Sequence, residues 1–229
     1  MAGEAAGYTT SNFDDGKELY LNFPDEFARA VKNAGFDLVT TANNHVLDKG
    51  TEGVLRTLNV LDETGLDHTG SYRNDTEKEN ERVKLVERDG IRMAILSYTY
   101  GSNYYDFAEL AEGGLSYVTS VISGTEGELF EKLKAQVELD FEETKKLSPA
   151  LIIVLPHIGT QFSNAPDREQ EVRFGILRSA VPTSYLAITL TPLSLSLLRS
   201  MTGEMYSPHT AREISPTYTA NIRATPVCS

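Results

Sequence analysis

The stretch "FDLVTTANNHVLDKGTEGVLRTLNVLDETG", Phe36 to Gly65, contains a strand pattern, a polar turn and a helix pattern in direct succession. The run "FDLVTTA" is typical of a buried strand, and the apolar residues of the next segment recur on one side of a helix: Val54, Leu55, Leu58 and Leu61. Two adjacent asparagines, a histidine and an aspartate lie between the two patterns. A strand that leads through a short polar turn into a helix is the repeating unit of α/β proteins.

The same alternation continues along the chain. "RVKLVERDGIRMAILSY" predicts two strands joined at Asp89-Gly90, which is a strong hairpin signal. "TEGELFEKLKAQVELDFEETKKL" predicts a long charged helix, "ALIIVLP" predicts the most hydrophobic strand, and "DREQEVRFGILRSA" predicts another helix. The sequence therefore predicts an α/β fold with a substantial sheet.

Composition limits the possible partners. The 229 residues are 40% hydrophobic and 24% charged, which is typical of one soluble globular domain. A net charge of -12 argues against a nucleic-acid partner, which a basic surface would bind. We expect no membrane segment, because the longest uncharged stretch, residues 184–198, is short and rich in Ser and Thr. Cys228 is the only cysteine, so no intramolecular disulfide is possible.

Two of the four histidines follow predicted strands. His45 comes after "FDLVTTANN", and His157 comes after "ALIIVLP". Functional sites of α/β proteins are built at the carboxyl ends of strands. Asn44 offers an amide oxygen to a hard cation, and His45 offers an imidazole as ligand, general acid or phosphate contact. The alternative is a structural turn in which Asp48 or Thr51 caps the next helix.

Two motifs resemble a known family. "AGFDLVTTANNHVLDKGTEGVLRTLNVLDETGLDHTG" looks like the signature of the CapA-type bacterial capsule synthesis proteins, the poly-gamma-glutamate synthesis family. That signature is an aliphatic strand, Ala-Asn-Asn-His, a Leu-Asp-x-Gly exit, a helix and a Gly-x-x-His-x-Gly strand. "VLPHIGTQFSNAPDREQEV" looks like the second motif of the family, a strand that ends in His-x-Gly. The resemblance covers roughly residues 20 to 180, and two ordered motifs at this spacing are fairly specific.

The resemblance implies a fold and a site. The family is similar to calcineurin-like metallophosphoesterases, in which helices flank a β-sandwich and two divalent metal ions lie between strand-end loops. By this resemblance Asn44 would be a metal ligand, His157 a ligand of the second metal, and His45 a catalytic residue facing the phosphate or leaving group. Two such metals activate a water and stabilise the charge of an in-line displacement.

The resemblance also predicts what this chain lacks. The family begins with a strand that bears Gly-Asp and the metal-bridging aspartate, and we expect this chain to start after that strand. The family then ends its metal set with a Gly-x-His-x-His motif, which is not found in "VPTSYLAITLTPLSLSLL". Without the bridging carboxylate, the remaining neutral ligands would bind a divalent metal weakly.

The chain divides in composition after Ala180. Residues 181–229 contain 20 Ser, Thr or Pro among 49 residues, only two acids and five of the nine prolines. Residues 1–180 are predicted to be a CapA-like domain, and residues 181–229 an aberrant tail. A one-base shift of the reading frame after about Ala180 permits "GADVILGDHPHAVEPL", "HDGRD" and "GNFANIY", which resemble the missing family motifs in order. Our hypothesis is that the tail is an out-of-frame translation, which the encoding nucleotides would test.

Three functional hypotheses follow from the resemblance. The first is a metal-dependent phosphoesterase-like hydrolase of capsule or poly-gamma-glutamate biosynthesis, acting on a phosphate-containing small molecule or an anionic polymer. The second is a non-catalytic protein that binds an anionic polymer or anchors the capsule through the same cleft. The third is an inactive fragment. The chain is predicted to be soluble as written, and members of the family are often at the bacterial cell surface.

Overall fold

The computed structural model describes residues 20–159 and 167–180, and within these ranges it has six helices and five strands. In chain order they are α1 (Asp25–Asn33), β1 (Leu38–Thr40), α2 (Gly50–Thr64), β2 (Asp67–Thr69), α3 (Asp75–Glu81), β3 (Lys84–Arg88), β4 (Ile91–Thr99), α4 (Phe107–Glu112), α5 (Glu128–Lys146), β5 (Leu151–His157) and α6 (Arg168–Ala180). Helices and strands alternate along the chain, so the predicted mixed α/β class is confirmed.

The strands form two small sheets. β1 and β2 are parallel, with Leu38 opposite Asp67. In the second sheet β4 is central; it pairs with β3 in antiparallel and with β5 in parallel orientation. In the register of β4 and β5, Thr99 lies opposite His157, so both strands end at the same edge.

The predicted hairpin is present between β3 and β4. Asp89 and Gly90 have φ angles of 51° and 76°. Two consecutive positive φ values are what a tight two-residue hairpin requires, and Asp-Gly is a preferred pair for them. The hairpin turn was therefore predictable from two residues.

Residues 119–122 join the two sheets. Ser120 N donates to Gly70 O at 3.0 Å on the side of β2, and Thr99 N donates to Ser120 O at 2.9 Å on the side of β4. The carboxyl ends of β2, β4 and β5 therefore lie close together. The loop that follows β1 packs against this edge, because a Cβ on Gly70 would come within 2.7 Å of Ala42 N.

Three apolar clusters form the core of the described residues. In the largest, Leu96 of β4 and Val154 of β5 pack against Phe141 of α5 and Leu177 of α6. The other two clusters lie along α2. One joins α2 to α4 and the loop after β1, and the other joins it to α1, to β1 and to Leu66, which follows α2. Helix α2 thereby fixes the loop that carries the asparagine pair.

Two predictions fall outside the described residues. The proposed domain boundary lies at Ala180, where α6 ends, and the tail 181–229 has no described structure. The out-of-frame hypothesis therefore stays a prediction. Within residues 20–159 and 167–180, no helix has both the length and the apolar character that a membrane span requires.

Candidate metal and anion site

The two sequence-predicted ligands meet at the shared strand edge. His157 Nε2 lies 2.9 Å from Asn44 Oδ1, although the residues are 113 positions apart in the chain. Asn44 is 4% exposed, and His157 is partly buried at the end of β5. The fold therefore brings the carboxyl end of β5 and the loop after β1 into direct side-chain contact.

Asn103 holds Asn44 in place. The Asn44 side-chain amide donates to Asn103 Oδ1 at 3.0 Å, and the Asn103 backbone N–H donates to Asn44 O, also at 3.0 Å. Two hydrogen bonds between the same pair of residues fix the Asn44 side chain, because both its backbone and its amide group are held. Its oxygen is then directed at His157.

His45 is oriented by Asp48. His45 Nδ1 lies 2.7 Å from Asp48 Oδ2, which also accepts a hydrogen bond from Leu21 N at 2.6 Å. An ionised carboxylate only accepts hydrogen bonds, so His45 Nδ1 is the donor to Asp48. The His45 side chain is 23% exposed, and its Nε2 has a long contact of 3.4 Å with Asn103 Nδ2.

The local environment favours a neutral His157. Burial lowers the pKa of His157 below its ordinary value, and the nearby His45 lowers it further. Desolvation and a like charge both disfavour the imidazolium form. At neutral pH the ring is therefore in the form that can bind a metal ion.

The separation of Asn44 Oδ1 and His157 Nε2 fits two neighbouring ligands of one ion, whereas the family resemblance assigns His157 to a second metal. Ligand atoms at about 2.1 Å from an octahedral ion and at right angles are about 3 Å apart. The observed 2.9 Å matches that spacing, and it is also a hydrogen bond in which His157 Nε2–H donates to the Asn44 amide oxygen, so a metal ion would replace that proton. Within residues 20–159 and 167–180, however, no group of three His, Cys, Asp or Glu side chains could hold a metal ion. The described residues thus supply two neutral ligands and no carboxylate.

Two polar residues at this site were not identified from the sequence. Asn103 and Tyr100 both follow β4, and the Tyr100 ring lies 6.2 Å from the His157 imidazole with the planes 13° apart. The rule that selected His45 and His157, a polar side chain after a strand, applies equally to "TYGSN" after β4. Asn103 and Tyr100 were therefore predictable as site residues from their position after a strand.

The structural alternative for this turn is wrong in one respect. No side chain caps the amino end of α2, whose N-cap residue is Lys49. Asp48 contacts His45 instead, so it supports the site rather than the helix. His68 lies apart from these contacts, with Nε2 at 3.1 Å from Asp62 Oδ1.

An open cleft of about 500 Å³ adjoins Asn103. Its wall is polar and aromatic: Tyr20, Ser102, Asn103, Tyr104, Tyr105 and Asp106. The Lys49 ammonium lies 5.9 Å from the centroid of the Tyr20 ring. This cleft offers space beside Asn103 for a ligand larger than an ion.

The sequence of this chain is similar to that of bacterial capsule synthesis proteins. Residues 4–175 match the family model of the bacterial capsule synthesis protein PGA_cap. The chain is 30% identical over 156 residues to the capsule biosynthesis protein CapA of Bacillus anthracis, covering 68% of this chain and 34% of that protein. It is 23% identical over 180 residues to the PGA biosynthesis protein CapA of Bacillus subtilis (strain 168), covering 73% of this chain and 43% of that protein. The chain thus spans between a third and a half of these curated relatives.

Proposed function

The chain belongs to the PGA_cap family of bacterial capsule synthesis proteins, and on that premise we propose that it acts in capsule biosynthesis as a metal-dependent phosphoesterase-like hydrolase. The contact of 2.9 Å between Asn44 Oδ1 and His157 Nε2 is the observation that carries the proposal. It joins the two predicted ligands, each from a different family motif, beside the predicted catalytic His45.

Each residue has a distinct role in this proposal. Asn44 and His157 would hold a divalent metal ion, which supplies an activated water and charge stabilisation when bound. His45, oriented through its Nδ1–H by Asp48, would take up a proton at Nε2 and pass it to the leaving oxygen. Asn103 would keep the Asn44 oxygen directed at the metal position.

The proposed substrate is a phosphate-containing small molecule or a segment of an anionic polymer. The cleft next to Asn103 has room for such a group and is lined by hydroxyl, amide and aromatic side chains and by the Asp106 carboxylate. Binding of an anion by a chain of net charge -12 needs a local positive field. A bound divalent cation would supply that field.

Hydrolysis of bis(p-nitrophenyl) phosphate, measured with Mn²⁺ and with EDTA, tests the proposal. We expect metal-dependent hydrolysis that falls about 100-fold or more in Asn44→Ala and in His157→Ala, because each removes a ligand. His68→Ala is the matched control, since it removes a histidine that contacts Asp62 instead of this site. Equal hydrolysis in all three variants would remove the site assignment.

The same assay separates the two alternative hypotheses. A non-catalytic anionic-polymer binding or capsule anchoring protein would bind Mn²⁺ and polyglutamate through Asn44 and His157 without hydrolysis. An inactive fragment would do neither. Isothermal titration of Mn²⁺ into the unchanged protein and into Asn44→Ala therefore accompanies the assay.

A further inference from the structure

Tyr100 lies directly beside the candidate metal ligand His157. It is the first residue after β4, and its backbone N–H donates to His157 O at 3.0 Å. The two rings are nearly parallel, with centroids 6.2 Å apart. Because both the backbone and the ring of Tyr100 are held against His157, the phenol has a defined position at the site.

The Tyr100 hydroxyl has a proton to donate. A phenol carries one O–H donor, and its oxygen can accept at the same time. Tyr100 is half-buried at the end of β4, with its ring against the His157 imidazole. The phenol can therefore donate its proton to an anion at the site even where its oxygen accepts a hydrogen bond.

A buried cation lies against the face of the Tyr100 ring. Arg173 of α6 is 4% exposed, and its guanidinium carbon is 5.8 Å from the ring centroid. One terminal nitrogen pairs with Glu169, which is largely exposed. The buried Nε has no hydrogen-bond partner among the residues that the structure describes. A nearly buried positive charge with one solvent-exposed partner leaves a positive potential at this position.

Resting on the proposed function, we infer that Tyr100 is a phosphate-contacting residue of the site and that Arg173 is its positioning residue. The Tyr100 hydroxyl donates to a phosphate oxygen held beside Asn44 and His157. The Arg173 charge fixes the ring by a cation–π contact and makes this wall of the site attractive to an anion. Neither residue was assigned a role from the family motifs.

Titration of inorganic phosphate in excess Mg²⁺, measured by calorimetry, tests the inference. We expect Tyr100→Phe to weaken phosphate binding about 10-fold, because one hydrogen bond to a charged oxygen is lost while the ring is kept. Arg173→Met is expected to weaken binding as well, and Arg173→Lys to retain more affinity than Arg173→Met, because lysine keeps the charge.

Tyr98→Phe is the matched control. It removes the same atom from a tyrosine two residues earlier, whose hydroxyl binds Asp140. This variant should lose stability yet keep phosphate affinity within about twofold, which separates contact with the anion from a general structural effect. Equal affinity of Tyr100→Phe and the unchanged protein, or no phosphate binding by the unchanged protein, overturns the inference. Absence of hydrolysis bears on the proposed function alone, since the inference concerns binding.

Discussion

Two groups of buried polar side chains lie near β4 and differ in kind. The Asp140 cluster joins β4, α3 and α5: Tyr98 OH donates to Asp140 at 2.9 Å, Gln136 donates at 2.8 Å, and Arg82 Nε is 2.7 Å from the same carboxyl group. Burial raises the pKa of Asp140 in spite of these partners. The cluster contains full charges that compensate each other within the protein.

The Asn44 cluster, formed by Asn44, His45, Asn103 and His157, contains amides and imidazoles at the edge of the sheet. It is partly open, and His45 Nε2 points away from its Asp48 partner. The comparison shows that burial and hydrogen bonding alone do not identify a functional site. A cluster whose charges pair with each other inside the protein is structural, whereas one that keeps polar groups open to solvent can bind a ligand.

The largest expected effect is on stability, from Asp140→Ala. This change leaves the Arg82 side chain, which is only 10% exposed, with the half-exposed Glu143 as its remaining carboxylate partner. We expect the free energy of unfolding to fall by about 3–5 kcal/mol. Asn44→Ala removes only neutral hydrogen bonds and should cost about 1–3 kcal/mol. Urea unfolding of both variants gives the comparison, and equal losses would contradict the distinction between the clusters.

A double variant provides the control. Arg82→Met with Asp140→Leu removes both charges and keeps apolar volume, so it should recover most of the lost stability. A double variant as unstable as Asp140→Ala would show that the shape of the side chains, rather than the unpaired charge, determines the loss.

The second effect concerns the support of the Asn44 loop. Gly70 has a φ of 108°, and a Cβ there would lie 2.7 Å from Ala42 N, so Gly70→Ala must displace the loop. Gly90→Ala is the matched control, because Gly90 also has positive φ but no atom within 4 Å. We expect Gly90→Ala to cost about 1 kcal/mol and Gly70→Ala about 3 kcal/mol. Thermal melts and Mn²⁺ titration should show that only Gly70→Ala also weakens metal binding.

The class of the fold was predictable because each element has a strong local signal. Apolar periodicity predicts the strands β1 and β5 and the helix α2, and Asp89-Gly90 predicts the β3–β4 hairpin. The segment 119–122 that joins the two sheets was not predicted. It is held by backbone hydrogen bonds to Gly70 and Thr99, and such pairing leaves no pattern in the side chains.

The candidate site was predictable only in part. His45 and His157 follow strands, and Asn44 belongs to a recognisable motif, so their proximity could be expected. The role of Arg173 could not be predicted, because a charged residue in a helix pattern is expected to be exposed to solvent. Its burial at 4% depends on how α6 packs against Tyr100, which only the tertiary structure determines.

The third effect is a pH dependence from Lys78, whose ammonium donates to Ser116 O at 2.7 Å and Thr119 O at 3.1 Å. Burial lowers the pKa of Lys78 from 10.5 to about 8. Between these values the unfolded chain binds more protons, so the free energy of unfolding rises with pH. From pH 8 to 9.5 we expect a gain of about 1.5 kcal/mol.

Urea unfolding at several pH values measures this gain, and Lys78→Met should remove it. The upper limit of pH 9.5 avoids ionisation of Tyr72 and Tyr98, since burial raises the pKa of both. If the unfolding free energy of Lys78→Met rises by the same amount between pH 8 and 9.5, the rise comes from another group. Lys78 would then not be a buried charge like Asp140.

The smallest effect tests the neutral character of the Asn44 cluster itself. Asn44→Asp places a carboxylate oxygen where the amide oxygen faces His157, and it removes the donor to Asn103 Oδ1. Hard cations prefer anionic oxygen, so we expect Mn²⁺ affinity to increase about 10-fold, or about 1.4 kcal/mol, while the metal-free protein becomes less stable. Calorimetric titration measures the affinity. Asn103→Asp is the control, because it places a carboxylate on the hydrogen-bond partner of Asn44 instead of on the residue that contacts His157. If Asn44→Asp binds Mn²⁺ no better than the unchanged protein, Asn44 is not a metal ligand, and the cluster is then a structural one like that of Asp140.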